Sequence, residues 1–213
     1  MTSPGDGTVG IAALAWLPAA YLLGAIPSSY LLARWMGGLD LREHGSKNLG
    51  ATNLYRLLGW RAAVPAGLFD IAKGAAPAGL TAALAAGPAW WPVVVGLAAV
   101  LGHVYSPFVG FKGGKGVATA AGVFLALAPA SIGVAAVVWI ALLWFTGYMS
   151  VASMLGAMAF AAATPLLYPG RPFTTWVAIA VCAFVVFTHR SNVRRLLAGT
   201  ESRFRTRKTG GGA

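Results

Sequence analysis

Residues 117–168 read VATAAGVFLALAPASIGVAAVVWIALLWFTGYMSVASMLGAMAFAAATPLLY and contain no acidic, basic or histidine side chain. A helix needs roughly 20 predominantly apolar residues to cross a bilayer, so this stretch is long enough for more than one crossing. Pro129 and Gly147 interrupt it, with Pro165 near its end, and such residues mark the boundaries of helices. The stretch therefore predicts an integral membrane protein with three short helices in this part of the chain.

The rest of the 213 residues has the same character. Hydrophobic residues make up 58% of the chain, charged residues make up 10%, and the mean hydropathy is +0.71. Four further apolar runs cover residues 9–35, 62–86, 89–109 and 173–188. We predict an all-α integral membrane protein with seven transmembrane helices. The segment 117–128 is the shortest of them, since about 1.5 Å per residue gives it a length of roughly 18 Å. A half-span or a re-entrant segment is the alternative for this piece.

Basic residues set the expected orientation, since short cytoplasmic loops collect lysine and arginine. They cluster between Arg34 and Arg61, at Lys112 and Lys115, and from Arg190 onwards. Seven crossings place all three clusters on one side, with the N-terminus outside and the C-terminus in the cytoplasm. No basic residue precedes Arg34, so we expect the first apolar run to remain as a span. We expect residues 1–204 to form one membrane domain and residues 205–213 to form a basic, flexible cytoplasmic tail.

The segment 110–119, GFKGGKGVAT, is called here the glycine–lysine segment. Its glycines let backbone N–H groups form an anion-binding concavity, and the helix expected from Val117 points its positive end at the same place. The segment predicts binding of phosphate or a phosphate ester. It is not a nucleotide P-loop, because Gly116 follows Lys115 where that motif requires serine or threonine. A turn whose lysines meet anionic lipid headgroups is the alternative.

Two other polar segments are expected on the same face. The first is DLREHGSKNLGATN at residues 40–53, with Arg56 one turn later, and the second is HRSNVRRLLAGTE at residues 189–201. Ordinary solvated loops and positive-inside anchors are the alternatives for these two segments. Asp70 and Lys73 have i, i+3 spacing within an apolar run, so they share a helix face. Pairing for structure and a functional role both remain open for them.

The acidic residues argue against several chemistries. The chain has only five carboxylates, which are too scattered for a paired acid–base device or a divalent-metal cage. None of the three histidines is followed five residues later by aspartate, and there is no G-x-S-x-G motif. We therefore expect no metal and no cofactor. What remains is a cationic site for phosphorylated substrates, in an enzyme or, alternatively, in a transporter or binding protein for a phosphorylated organic anion. A membrane anchor with a basic tail is a third possibility.

The three polar segments resemble the motifs of the bacterial PlsY family, membrane glycerol-3-phosphate acyltransferases whose donor is acyl phosphate. The resemblance covers nearly the whole chain. The matching residues are Gly45–Ser46, Asn48 and 50–53 in the first motif, 102–107 and 110–119 in the second, and His189–Arg190, Asn192, 195–197, Gly199 and Glu201 in the third. Lys47 departs from the family, which usually has glycine there. A side chain at this position penalises a positive φ, or else adds a cation.

The resemblance implies transfer of a fatty acyl group from acyl phosphate to the 1-hydroxyl of sn-glycerol 3-phosphate, giving lysophosphatidic acid and phosphate. It implies no cofactor, no metal and no nucleic-acid partner, and it places the enzyme in the bacterial plasma membrane with its site at the cytoplasmic face. The implied catalytic residues are Ser46, Arg56, Lys115, His189 and Asn192. The implied substrate- and phosphate-binding residues are Asn48, Thr52, Asn53, Lys112, Gly113, Gly114, Gly116, Thr119 and Glu201.

Overall fold

The first apolar run forms three helices in the computed structural model, which describes residues 9–204. They are α1 (Ile11–Leu14), α2 (Trp16–Ala25) and α3 (Ser28–Gly37). The break between α2 and α3 falls at Ile26 and Pro27, because proline lacks an N–H donor and disfavours helical geometry in the residue before it. The expected tail, residues 205–213, lies outside the described residues.

Three helices follow in the next part of the chain. The short α4 (Ala51–Leu58) precedes the long α5 (Trp60–Ala83), and α6 (Trp91–Val104) leads into a single 3₁₀ turn at Pro107–Val109. Two prolines, Pro65 and Pro77, lie inside α5. Asp70 and Lys73 are also in α5, and both side chains are buried.

The uncharged stretch 117–168 folds into three helices at the predicted break points. They are α7 (Val117–Leu127), α8 (Pro129–Thr146) and α9 (Met149–Leu167). Pro129 begins α8. Proline is acceptable there because an N–H at the first position of a helix would have no partner within the helix. Gly147 ends α8 with a φ of 72°. The chain continues with α10 (Pro172–Thr188) and α11 (Arg190–Leu197).

The described residues contain no β-strand, which confirms the all-α prediction. Four helical segments are long and apolar enough to cross a bilayer: 11–37, 91–109, 129–146 and 149–167. A fifth is reached if α10 and α11, which meet at a bend of 54°, form one span. The helix α7 is too short to be counted with these. The architecture is that of a multi-pass membrane protein.

Close packing of α5 against α7 places the glycine–lysine segment. Gly74 of α5 lies against the backbone carbonyl of Thr119, and Gly122 of α7 lies against the carbonyl of Ile71, so a Cβ at either glycine would overlap backbone. Small residues allow such approach between membrane helices, where van der Waals contact drives association. Further along α7, Phe124 packs on Phe160 of α9 with ring centroids 4.6 Å apart. These contacts fix the start of α7 beside α5.

Candidate active site

Two of the three predicted segments meet through Lys115 and Asn192. The Lys115 Nζ donates a hydrogen bond to Oδ1 of Asn192, although the two residues are 77 positions apart. Asn192 in turn donates through Nδ2 to Oε1 of Glu201 at 2.6 Å. Arg195 Nε donates to the other oxygen of Glu201 at 2.7 Å, and Ser150 Oγ donates to Oε1 at 2.9 Å. Glu201 therefore fixes Asn192, the residue that links the third segment to the second.

Arg56 brings the first segment to the same place. Its Nη2 donates to the carbonyl of Ser202 at 3.1 Å, directly after Glu201 in the chain. Next to it, Tyr55 stacks on Phe204 with ring centroids 4.4 Å apart. The guanidinium Nε of Arg56 is buried and has no hydrogen-bond partner among residues 9–204. An unpaired donor on a buried cation suits an anionic ligand.

The turn of the first segment is organised by Asn53. Its Oδ1 accepts a hydrogen bond from the backbone N of Ser46 at 2.9 Å, and its Nδ2 donates to the carbonyls of His44 at 3.0 Å and Asn48 at 3.1 Å. The side chain is 2% exposed. Its hydrogen-bonding capacity is used by the turn, so in this conformation Asn53 fixes the position of Ser46, which is itself exposed.

The backbone of this turn is strained at one position. Lys47 has a φ of 58°, in the left-handed region that favours glycine. The exposed Lys47 side chain lines a surface pocket of about 400 Å³ together with Arg42, Val109, Gly110 and Lys112. Both effects considered for Lys47 in the sequence are therefore present, since the residue has a positive φ and also adds a cation.

The glycine–lysine segment offers fewer free amides than its composition suggests. Gly113 N donates to the carbonyl of Val104 at 2.9 Å, and Gly114 N donates to that of His103 at 3.1 Å. These two amides hold the segment against the end of α6. The next amides, those of Lys115, Gly116 and Val117, have no backbone acceptor in the described part of the chain. Gly116 has a φ of 81° immediately before α7, so these three N–H groups lie at the positive N-terminal end of that helix.

Burial changes the proton affinities of two site residues. It lowers the pKa of Lys115 to about 8, with the charge of Glu201 working in the opposite direction. Burial and the charge of the neighbouring Lys115 together lower the pKa of His189 to about 4. His189 is therefore neutral near pH 7, and its Nδ1 donates to the carbonyl of Val185 at 2.8 Å. Nε2 is left as a hydrogen-bond acceptor.

Other charges in the site remain fixed. Burial lowers the pKa of Arg56, which still carries its proton at any physiological pH. Burial alone would raise the pKa of Glu201, but hydrogen bonds from Asn192, Arg195 and Ser150 bring it below its usual value. One carboxylate thus faces Arg56, Lys115 and Arg195. The excess of positive charge fits a phosphorylated ligand and gives no acid–base pair.

The remaining predicted residues lie at varied depth. Lys112 is exposed, whereas Asn48 and Thr52 are half-buried. Thr119 is fully buried in the first turn of α7, and its Oγ1 has no partner among the described residues.

Ser150 is a site residue that the sequence does not predict, because it lies in the uncharged stretch 117–168, where nothing distinguishes it from a serine that only packs. Within residues 9–204 no group of three or more histidine, cysteine or acidic side chains is arranged to hold a metal ion.

The sequence matches the glycerol-3-phosphate acyltransferase family. The family model described as glycerol-3-phosphate acyltransferase matches residues 14–199. The chain is 45% identical over 190 residues to a glycerol-3-phosphate acyltransferase of Geobacter sulfurreducens, covering 87% of this chain and 94% of the relative. It is 46% identical over 200 residues to one of Trichlorobacter lovleyi, covering 91% and 98%.

Two solved structures resemble the fold along nearly its whole length. One is the crystal structure of PlsY (YgiH), an integral membrane glycerol 3-phosphate acyltransferase, in its glycerol 3-phosphate form. The TM-score is 0.85 at 38% identity, and the match covers 92% of this chain and 96% of the other. The lysophosphatidic acid form gives a TM-score of 0.81 at 36% identity, with coverage of 90% and 95%.

Proposed function

Because this chain belongs to the glycerol-3-phosphate acyltransferase family, in its PlsY branch, we infer that it transfers a fatty acyl group from acyl phosphate to the 1-hydroxyl of sn-glycerol 3-phosphate. The products are lysophosphatidic acid and inorganic phosphate, and the reaction is a step of phospholipid biosynthesis. The observation that carries the assignment of the site is the meeting of Arg56, Lys115 and Asn192 around Glu201.

The donor in this proposal is activated before it reaches the protein. Acyl phosphate is a mixed anhydride with a good leaving group, so no nucleophilic side chain is required. The enzyme has to align the glycerol hydroxyl with the carbonyl carbon and stabilise the phosphate as it leaves. Lys115 and the free amides of Gly116 and Val117 are placed for the second task. Fixed donors that meet developing negative charge are a large source of rate enhancement.

The acceptor is held by the first segment. Arg56, with its unpaired Nε, binds the phosphate of glycerol 3-phosphate, and Ser46 fixes the glycerol hydroxyl. Asn53 fixes the position of Ser46, because its Oδ1 accepts a hydrogen bond from the backbone N of Ser46. His189 and Asn192 complete the polar wall, with His189 neutral at working pH. Since the Glu201 carboxylate is already bound by Ser150, Asn192 and Arg195, a substrate phosphate oxygen takes the proton released by the hydroxyl.

The proposed placement is a bacterial plasma membrane, with the site at the cytoplasmic face. Seven crossings, with the N-terminus outside, put Arg56, Lys115 and Arg195 on the side that collects basic residues. The fatty chain of the donor lies between helices and enters from the bilayer, while glycerol 3-phosphate enters from the cytoplasm. Residues 1–204 act as one membrane domain. The alternative of a transporter gains no support, because Asp70 and Lys73 are paired with each other.

A transfer assay tests this function. The purified protein is mixed with synthetic palmitoyl phosphate and glycerol 3-phosphate, and lysophosphatidic acid and phosphate are followed together. We expect equal amounts of both products, and none when palmitoyl-coenzyme A replaces the acyl phosphate. Absence of product with acyl phosphate, or an equal rate with the thioester, would overturn the assignment.

A further inference from the structure

Buried polar side chains from three helices, α3, α5 and α6, meet at Asp70. Asp70 and Lys73 are each 2% exposed, and Lys73 Nζ lies 2.7 Å from Oδ1 of Asp70. Ser28 Oγ of α3 donates to the same oxygen at 2.7 Å, and Nδ1 of His103 in α6 lies 3.5 Å from it. A buried charge is costly unless it is paired, so each partner needs an explanation.

Lys73 has a sufficient structural explanation. Besides pairing with Asp70, its Nζ donates to the carbonyl of Ile26 at 2.8 Å. This carbonyl lies at the break between α2 and α3, where Pro27 cannot continue the helical hydrogen bonds. Lys73 therefore ties α5 to the break and neutralises Asp70. Neither task involves His103.

His103 connects this cluster to the glycine–lysine segment. Its backbone carbonyl accepts the hydrogen bond from Gly114 N at 3.1 Å. On the side-chain face, a Cβ built on Gly114 would overlap Nε2 of the imidazole ring. The segment thus lies directly on the ring, one residue before Lys115. The ring orientation therefore sets the surface on which the backbone next to Lys115 packs.

We propose that Asp70 and His103 are positioning residues for the glycine–lysine segment. Asp70 holds Nδ1 of the imidazole toward itself, and the fixed ring supports Gly114 from below. Lys115 and the amides of Gly116 and Val117 are thereby held toward the departing phosphate. Neither Asp70 nor His103 touches substrate. The inference depends on the proposed role of this segment in binding the donor phosphate.

The rival explanation is an ion pair that only holds helices together. The double variant Asp70→Leu with Lys73→Met separates the two, because it removes both charges and the acceptor for Nδ1 of His103 at nearly constant size, and leaves neither charge unpaired. A purely structural pair predicts a folded variant with normal turnover. Positioning through His103 predicts a folded variant whose kcat falls by about 10- to 100-fold, because small displacements of reacting groups lower the rate by about this much. The KM for glycerol 3-phosphate stays near the parent value. Ser28→Ala is the matched control, since it removes another partner of Asp70 without touching the ring, and should keep parental activity.

A mutant cycle tests whether Asp70 acts through His103. His103→Ala should lower kcat to a similar extent, and adding Asp70→Leu with Lys73→Met to it should cause little further loss. Losses that multiply would show that the two groups act independently. Normal turnover by the folded double variant would also overturn the proposal.

A measurement on the parent protein covers the case in which the double variant does not fold. The chain has only three histidines, so ¹⁵N-labelled histidine gives a resolvable NMR spectrum. We expect a proton on Nδ1 of His103, assigned by its loss in His103→Ala. A ring protonated only on Nε2 would contradict the proposal. A parent protein without acyl transfer would instead refute the proposed function, whatever the histidine spectrum shows.

Discussion

Lys115 donates its side-chain hydrogen bond to Asn192, so the segment that precedes α7 is fixed to α11 at the other end of the chain. Asn192 is held in turn by Glu201, whose remaining bonds reach Arg195 and Ser150. The Lys115 ammonium is therefore oriented before any substrate arrives. Such preorganisation costs no rearrangement during the reaction.

Replacing Lys115 by alanine should remove the cation that meets the leaving phosphate. We expect kcat to fall by about 10²- to 10³-fold, which is the usual cost of losing one donor to developing charge. The measurement is phosphate release from palmitoyl phosphate at saturating glycerol 3-phosphate. Arg61→Ala is the matched control, because Arg61 is an exposed cation next to Trp60 and lies outside the site. Equal rates for Lys115→Ala and the parent would remove Lys115 from the mechanism.

The pH profile should report the same residue. Burial lowers the pKa of Lys115 to about 8, so the ammonium loses its proton as pH rises through this value. The kcat/KM, which follows the free enzyme, should therefore decrease above about pH 8. Lys115→Arg keeps its charge throughout, and whatever activity it retains should lack this alkaline decrease. The same alkaline limb in both proteins would assign it to another group.

Asn53 should matter for both stability and acceptor binding. Replacing it with alanine leaves the amide of Ser46 and the carbonyls of His44 and Asn48 without their partner. Unsatisfied buried groups cost about 1–3 kcal/mol, so the melting temperature should fall. The KM for glycerol 3-phosphate should rise because Ser46 is no longer held. Thr52→Ala, a half-buried neighbour in the same helix, is the comparison for stability. An unchanged melting temperature in Asn53→Ala would contradict this role.

Lys47→Gly should stabilise the fold. The left-handed conformation costs a residue with a Cβ roughly 1–2 kcal/mol, which glycine avoids. Part of this gain is offset by the greater freedom of glycine in the unfolded chain, so we expect an increase in melting temperature of a few degrees. Gly45→Ala, two residues earlier in the turn at a φ of 59°, should have the opposite effect, because its Cβ would overlap Oδ1 of Asn53. A lower melting temperature for Lys47→Gly would show that the lysine side chain stabilises the turn.

The sequence predicts the helices well where apolar runs and breaking residues are distinct. Pro129 and Gly147 divide the uncharged stretch as expected, since their effect is local. The break at Pro27 was missed because hydropathy continues across it. Gly113 and Gly114 were expected to offer their amides to a ligand, whereas both bind carbonyls at the end of α6. The partners of a loop amide depend on tertiary packing, which spacing along the chain does not encode. The same holds for Ser150 and for the contact of His103 with Gly114.

A structure of the protein with glycerol 3-phosphate bound would test the central claim most directly, since it locates the phosphate among the three segments. We expect the phosphate within hydrogen-bond distance of the Arg56 guanidinium, with the glycerol hydroxyl directed toward Ser46 and the free amides that begin at Lys115. A phosphate held only in the surface pocket between Arg42, Lys47 and Lys112, or at the other end of the helices, would contradict the account.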